Sequence, residues 1–120
     1  MGWRIGLAGA LLAQLFVLYS PGSAVPTVSV PGLDKALHLT IFLIPALVIG
    51  RLTRSSWPLW LLAAHGVASE LIQHWFIANR TGDWRDVLAN LIGVGLGVLA
   101  ARLVTRHRFR RADVPAGKPA

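Results

Sequence analysis

Long apolar runs constrain this 120-residue chain more than any other feature. A helix rises 1.5 Å per residue, so about 20 apolar residues cross a hydrocarbon core roughly 30 Å thick. Four segments reach that length. Residues 3–19 are broken only by Arg4 and Gln14, and residues 34–50 are apolar after Asp34 and Lys35 apart from His38 and Thr40. Residues 57–78 carry His65, Glu70, Gln73 and His74, and residues 84–104 are apolar after the first turn except for Asn90 and Arg102. Charged residues make up 14% of the chain, against about 25% in a soluble domain. The expected fold class is therefore all-α: a polytopic membrane protein built as a four-transmembrane-helix bundle with short loops over residues 1–106. A basic, disordered cytoplasmic tail is expected to follow at 107–120.

The breaks between spans are chemically sensible. Pro21, Gly22, Pro26, Pro31 and Gly32 stop a helix between the first and second spans. Residues 51–58 form a polar connection, with Pro58 near the start of the next helix, where proline is tolerated. Gly82 and charged neighbours separate the last two spans. Pro45, inside the second span, predicts a kink whose freed backbone groups neighbouring helices can satisfy. The first span has a second reading as a secretory signal, with Arg4, an apolar stretch and Gly22-Ser23-Ala24 as a cleavage site. Cleavage would leave three spans.

The net charge of +7 resembles a nucleic-acid signal until it is located. Half of the basic residues lie at or beyond Arg102, and the others sit near span ends. No folded nucleic-acid module is present, so the expected partners are the bilayer and anionic lipids along the basic tail. With both termini inside, Arg4, Arg51, Arg54 and the basic residues from Arg102 to Lys118 face the cytoplasm. Only Lys35, Arg80 and Arg85 lie outside, beside Asp34, Asp83 and Asp86. The positive-inside rule then gives an N-in, C-in protein of the cell membrane. There is no cysteine, which excludes disulfides, thiolate metal sites and cysteine nucleophiles.

Polar residues within the spans fall in a pattern. Asp34 and His38 are four apart, Glu70 and Gln73 three apart with His74 beside them, and Asp86 and Asn90 four apart. These spacings put each set on one helix face. In the expected topology, His38 and Asn90 lie roughly 6–8 Å and Glu70 roughly 12 Å below the outer helix ends. One polar cluster open to the outer face follows. Plainer roles stand beside it. Asp34 and Asp83 suit helix N-termini, Gly93 and Gly97 suit close helix packing, and His65 and His74 suit interhelical or interfacial bonding. Glu70 has no inexpensive structural role so deep in a span. Arg80 is its natural partner if the loop folds inward. A protonated Glu70 bonded to Gln73 or Asn90 is the competing state.

Asp34-Lys35-x-x-His38, Glu70-x-x-Gln73 and Arg80-x-x-Asp83-x-x-Asp86-x-x-x-Asn90-x-x-Gly93-x-x-x-Gly97 together resemble the VanZ-like family over residues 34–97. That resemblance implies a multi-pass bacterial membrane protein with a cell-envelope role. The family's named member is associated with low-level resistance to teicoplanin, a glycopeptide acting outside the membrane. By position, the family's polar signature falls on Asp34, Lys35, His38, Glu70, Gln73, Arg80, Asp86 and Asn90.

Four functions compete. The cluster is expected to bind or modify a lipid-linked or cell-surface envelope precursor at the outer leaflet, with Lys35 and Arg80 holding an anion and Glu70 and His38 moving a proton. Glu70 and His38 are also the candidate catalytic acid and base of a membrane enzyme. A metal set of His38, Glu70 and His74 supplies few ligands and lacks an H-E-x-x-H motif, so no metal or cofactor is expected. A small proton-coupled exporter and a structural subunit complete the set.

Overall fold

The structure is a computed structural model and describes residues 1–21 and 30–112. Four helices account for nearly all of them: α1 (Gly2–Tyr19), α2 (Leu33–Leu52), α3 (Trp57–Phe76) and α4 (Trp84–Ala112). Three of these, α1, α2 and α4, are long and apolar enough to cross a membrane. This is a membrane protein on that ground. α3 has the length but is less apolar, because His65, Ser69, Glu70, Gln73 and His74 interrupt it.

α3 is inverted relative to a soluble helix. Leu62, Gly66, Ser69, Glu70 and Gln73 are buried at helical spacing, while Trp57, Trp60, Leu61, Leu71, Trp75 and Phe76 are exposed. A soluble helix buries its apolar stripe and exposes its charges.

α2 and α4 form the most extensive helix pair and run parallel. Small residues recur every fourth position on α4, at Ala89, Gly93, Gly97 and Ala101, and all four are buried. A Cβ at Gly93 would collide with the Leu39 carbonyl oxygen, and one at Gly97 with the Leu43 carbonyl oxygen. Further along, a Cβ on Gly50 would meet the Ala101 methyl at 2.8 Å. The two backbones therefore approach closely along the whole shared length, the geometry that small-residue stripes permit in membranes. Leu18, Phe42, Ala46, Ile49, Leu62 and Val94 form the apolar core beside this seam.

α1 packs on the core through Leu7, Leu11, Leu18 and Tyr19 and is also tied by polar groups. Only Gln14 and Leu18 of this helix are buried. Pro45 of α2 has no N–H and so cannot bond the Ile41 carbonyl, its normal partner four residues back. Gln14 Nε2 donates to that same carbonyl at 2.9 Å. Near the end of α1, Gln73 donates to the Leu18 carbonyl at 2.8 Å and Arg80 to the Val17 carbonyl at 2.7 Å. Both acceptors belong to the last turn of α1, where carbonyls lack helical partners.

The ends of α2, α3 and α4 differ from the sequence expectation, α2 running to Leu52 and not residue 50. α3 stops at Phe76, not residue 78, and the chain turns through Asn79, whose φ of 59° is left-handed. Asparagine tolerates that region better than most residues. The span expected to end at 104, with disorder from 107, is instead helical through Ala112. Nothing between Val104 and Ala112 breaks a helix, and arginines in its last turn favour the negative end of the dipole. The rest of the expected tail, 113–120, and the Gly22-Ser23-Ala24 cleavage site lie outside the described residues.

Candidate functional site

The end of α1, the start of α2, the end of α3 and the start of α4 meet at one end of the bundle. His38 is five residues into α2, Asn90 six into α4, and Glu70 six from the end of α3. At 1.5 Å per residue all three lie roughly 8–9 Å below their helix ends. The earlier stop of α3 brings Glu70 to the level of the other two, which is shallower than expected. Their side chains meet there.

His38 is the centre of the cluster and is 2% exposed. Its Nδ1 lies 3.0 Å from Asn90 Oδ1 and 3.4 Å from Glu70 Oε1. Its Nε2 lies 3.8 Å from Asp34 Oδ1 and 3.8 Å from Asp86 Oδ2. Asn90 is oriented by its own amide, which donates to the Gly66 carbonyl at 2.9 Å. Glu70 is 3% exposed. Its Oε2 accepts the Asp83 backbone N–H at 3.2 Å, while Oε1 is buried and accepts no hydrogen bond. The loop reaches Glu70 because Gly82 lies flat against α3: a Cβ there would sit 3.0 Å from the His74 Cβ.

Lys35 closes the cluster toward the surface. Its ammonium pairs with Asp86, with Asp83 Oδ2 at 3.2 Å and with Asp34 Oδ2 at 3.6 Å. Asp83 also accepts the Arg85 backbone N–H at 2.9 Å, capping the start of α4. That bond first, and Lys35 with it, holds the Asp83 carboxyl below the usual carboxylate range. Asp34 and Asp86 sit in the first turns of α2 and α4, where the helix dipoles favour negative charge.

The structure brings together Asp34, Lys35, His38, Glu70, Asp86 and Asn90. Asp83, read from the sequence as equally a helix cap and a functional residue, joins them through its side chain and its N–H. Two expected members serve elsewhere. Gln73 bonds the end of α1 and makes no bond to Glu70. The loop does fold inward, but Arg80 goes to the Val17 carbonyl and not to Glu70, because α1 presents unpaired carbonyls within its reach. Lys35 and Arg80 therefore do not converge on a shared anion. His74 is exposed beside Trp75, away from His38, so the ligand set His38, Glu70 and His74 does not assemble. His65 instead bonds the Tyr19 hydroxyl at 2.7 Å. Ligand atoms of Asp34, His38 and Asp86 lie within 4.8 Å of one another. The Lys35 ammonium already supplies a cation to both of those carboxylates.

Four carboxylates thus surround one ammonium and one imidazole. Such a site attracts cationic or hydrogen-donating groups and repels anions. Comparison with family models, with curated proteins and with solved structures finds no match for this chain.

Proposed function

We propose that this chain is a four-span, VanZ-like protein of a bacterial cell membrane, with both termini in the cytoplasm. Its acidic cluster opens at the outer leaflet and binds or modifies a lipid-linked or cell-surface envelope component. The inverted α3, with tryptophans outward and Glu70 and Gln73 inward, supports the fourth span. The arginines gathered at the opposite end support the orientation.

One observation carries the functional reading: a buried imidazole stands between a buried and an exposed carboxylate. Glu70 lies beside His38 Nδ1, and Asp34, exposed at the helix end, lies beside Nε2. Asn90 fixes the ring through Nδ1, and Asp86 flanks Nε2. His38 Nε2 accepts a proton from a ligand hydroxyl or amine and passes it through Asp34 toward the aqueous face, while Glu70 stabilises the imidazolium that forms. The sign of the cluster favours sugar hydroxyls or amines of an envelope component over its phosphates. The interhelical bonds of Gln14, Gln73 and Arg80 account for those residues structurally, which confines the functional set to Asp34, Lys35, His38, Glu70, Asp83 and Asp86.

The test is lipid and metabolite mass spectrometry on the protein purified in native nanodiscs, compared with Glu70→Gln. Gln keeps an oxygen for the Asp83 N–H but carries no charge to stabilise the imidazolium. The expected result is a co-purifying hydroxyl- or amine-bearing envelope lipid that is lost or accumulates in the variant. Identical lipid profiles, with unchanged glycopeptide sensitivity and envelope lipids in a deletion strain, would refute the reading.

A further inference from the structure

The opposite end of the bundle holds a second polar site with the reverse charge. Here α2 ends at Leu52, α3 begins at Trp57, and α4 continues ten residues beyond Arg102. Gly50 and Ala101 bring α2 and α4 into contact just before this level. Past it, α4 stands alone beside the connection between α2 and α3. A cleft of about 390 Å³ opens between them.

Arg54 lines it from the connection, and Arg102 and Arg106 from α4. The two α4 arginines are four apart, so they share a face. Thr53, Ser55 and Ser56 add hydroxyls to the opposite wall. Thr53 Oγ1 accepts the Ser55 N–H at 3.1 Å, which leaves its own proton free to donate. Among the described residues, none of these arginines forms a salt bridge; the ion pairs present all lie at the acidic end. Three guanidinium groups facing one cleft repel each other unless an anion sits between them.

Depth identifies the source of that anion. Arg102 is 18 residues and Arg106 22 residues beyond the start of α4, or about 27 and 33 Å along the axis. The hydrocarbon core is roughly 30 Å thick. The 20 residues of α2 span the same core, which sets Arg54 at its edge too. The arginines therefore sit at headgroup level. Below them the cleft is apolar, lined by Leu59 and Val98, and exposed Trp57 and Trp60 lie at the same end, as in an interfacial aromatic belt.

We infer that this cleft is a binding site for the phosphate of an anionic glycerophospholipid in the leaflet opposite the acidic cluster. Arg54 and Arg106 clamp the phosphate oxygens from two sides, as guanidinium forks do. Arg102 and the hydroxyls complete the cradle, and the acyl chains follow Leu59 and Val98 into the core. This differs from general attraction of headgroups along the basic helix end, which would not distinguish one arginine from another.

That distinction is the test. The full chain in mild detergent is titrated with phosphatidylglycerol or phosphatidylcholine and read by native mass spectrometry. Arg54→Gln/Arg106→Gln is compared with Arg108→Gln/Arg110→Gln, which removes the same charge outside the cleft. The expected result is a bound phosphatidylglycerol preferred at least tenfold over phosphatidylcholine. Its affinity falls at least tenfold in the cleft variant and less than threefold in the distal one. Equal losses in both variants would reduce the site to diffuse attraction and overturn the inference, as would no preference between the lipids. Inorganic phosphate at millimolar concentration is expected not to displace the lipid. Displacement would mean a soluble-phosphate site and would overturn the lipid assignment. Helicity by circular dichroism checks that both variants are folded, and all four substituted side chains are exposed. Lipid binding here is expected to be unchanged by Glu70→Gln, so its failure and that of the acidic site are distinguishable.

Discussion

Replacing Gln14 by Leu should destabilise the bundle through a single backbone atom. The Ile41 carbonyl lacks its helical donor because residue 45 is proline, and Gln14 supplies the replacement at 2.9 Å. Gln14 is 1% exposed, so water cannot take its place. An unsatisfied buried acceptor costs about 1–3 kcal/mol, while interhelical bonds in membranes average about 0.6 and reach about 1.7 kcal/mol. Among the described residues no other side chain bonds this carbonyl, which puts the bond near the top of the membrane range, about 1.5 kcal/mol. The decisive measurement is a double-mutant cycle. Pro45→Ala returns an N–H to the Ile41 carbonyl, so Gln14→Leu in that background should cost less than about 0.5 kcal/mol. Reversible unfolding in mixed dodecylmaltoside–SDS micelles, followed by tryptophan fluorescence, gives all four stabilities. If Gln14→Leu costs the same with and without Pro45, the two residues are not coupled and the explanation is wrong.

Gly97→Leu should force α2 and α4 apart, because even a Cβ there meets the Leu43 carbonyl and lies 2.7 Å from the Ala46 methyl. A loss of about 1–3 kcal/mol is expected in the same unfolding assay, whereas Gly95→Leu, with open space around it, should be close to neutral. Lys35→Met should leave Asp83 and Asp86 uncompensated. Its partial exposure limits the loss to about 1–2 kcal/mol, and adding Asp86→Asn should recover part of it. The depressed Asp83 carboxyl stabilises the fold fully above the ordinary value of about 3.8, and that contribution disappears as pH falls through its lower folded value. Acid titration of stability should therefore show a smaller low-pH loss in Asp83→Asn than in the parent chain.

Much of this arrangement was legible in the residues. Long uncharged runs gave the helices, and i, i+4 pairs such as Asp34 with His38 and Asp86 with Asn90 gave the faces that meet. What pairs with what was harder to read, because it depends on backbone groups that a sequence does not display. Arg80 looked like the partner of Glu70, yet the frayed carbonyls of α1 compete for it. Gln14 looked like a lone polar interruption, although Pro45 downstream required a donor. Gly93 and Gly97 were visible as a pair, but the stripe continues through Ala89 and Ala101, whose methyl groups are small enough for the same role. The continuation of α4 to Ala112 was obscured because a basic run was equated with disorder.

Asn90 has a consequence for the chemistry of its neighbour. A carbonyl can only accept, so the Gly66 oxygen fixes which end of the Asn90 amide bears the nitrogen. The amide oxygen is then committed to His38 Nδ1, and that nitrogen must carry hydrogen. Only Nε2 is left to gain or lose a proton, and it looks toward Asp34 and Asp86. The imidazole is thus wired for traffic on its solvent side, with a buried amide on the neighbouring helix deciding the direction.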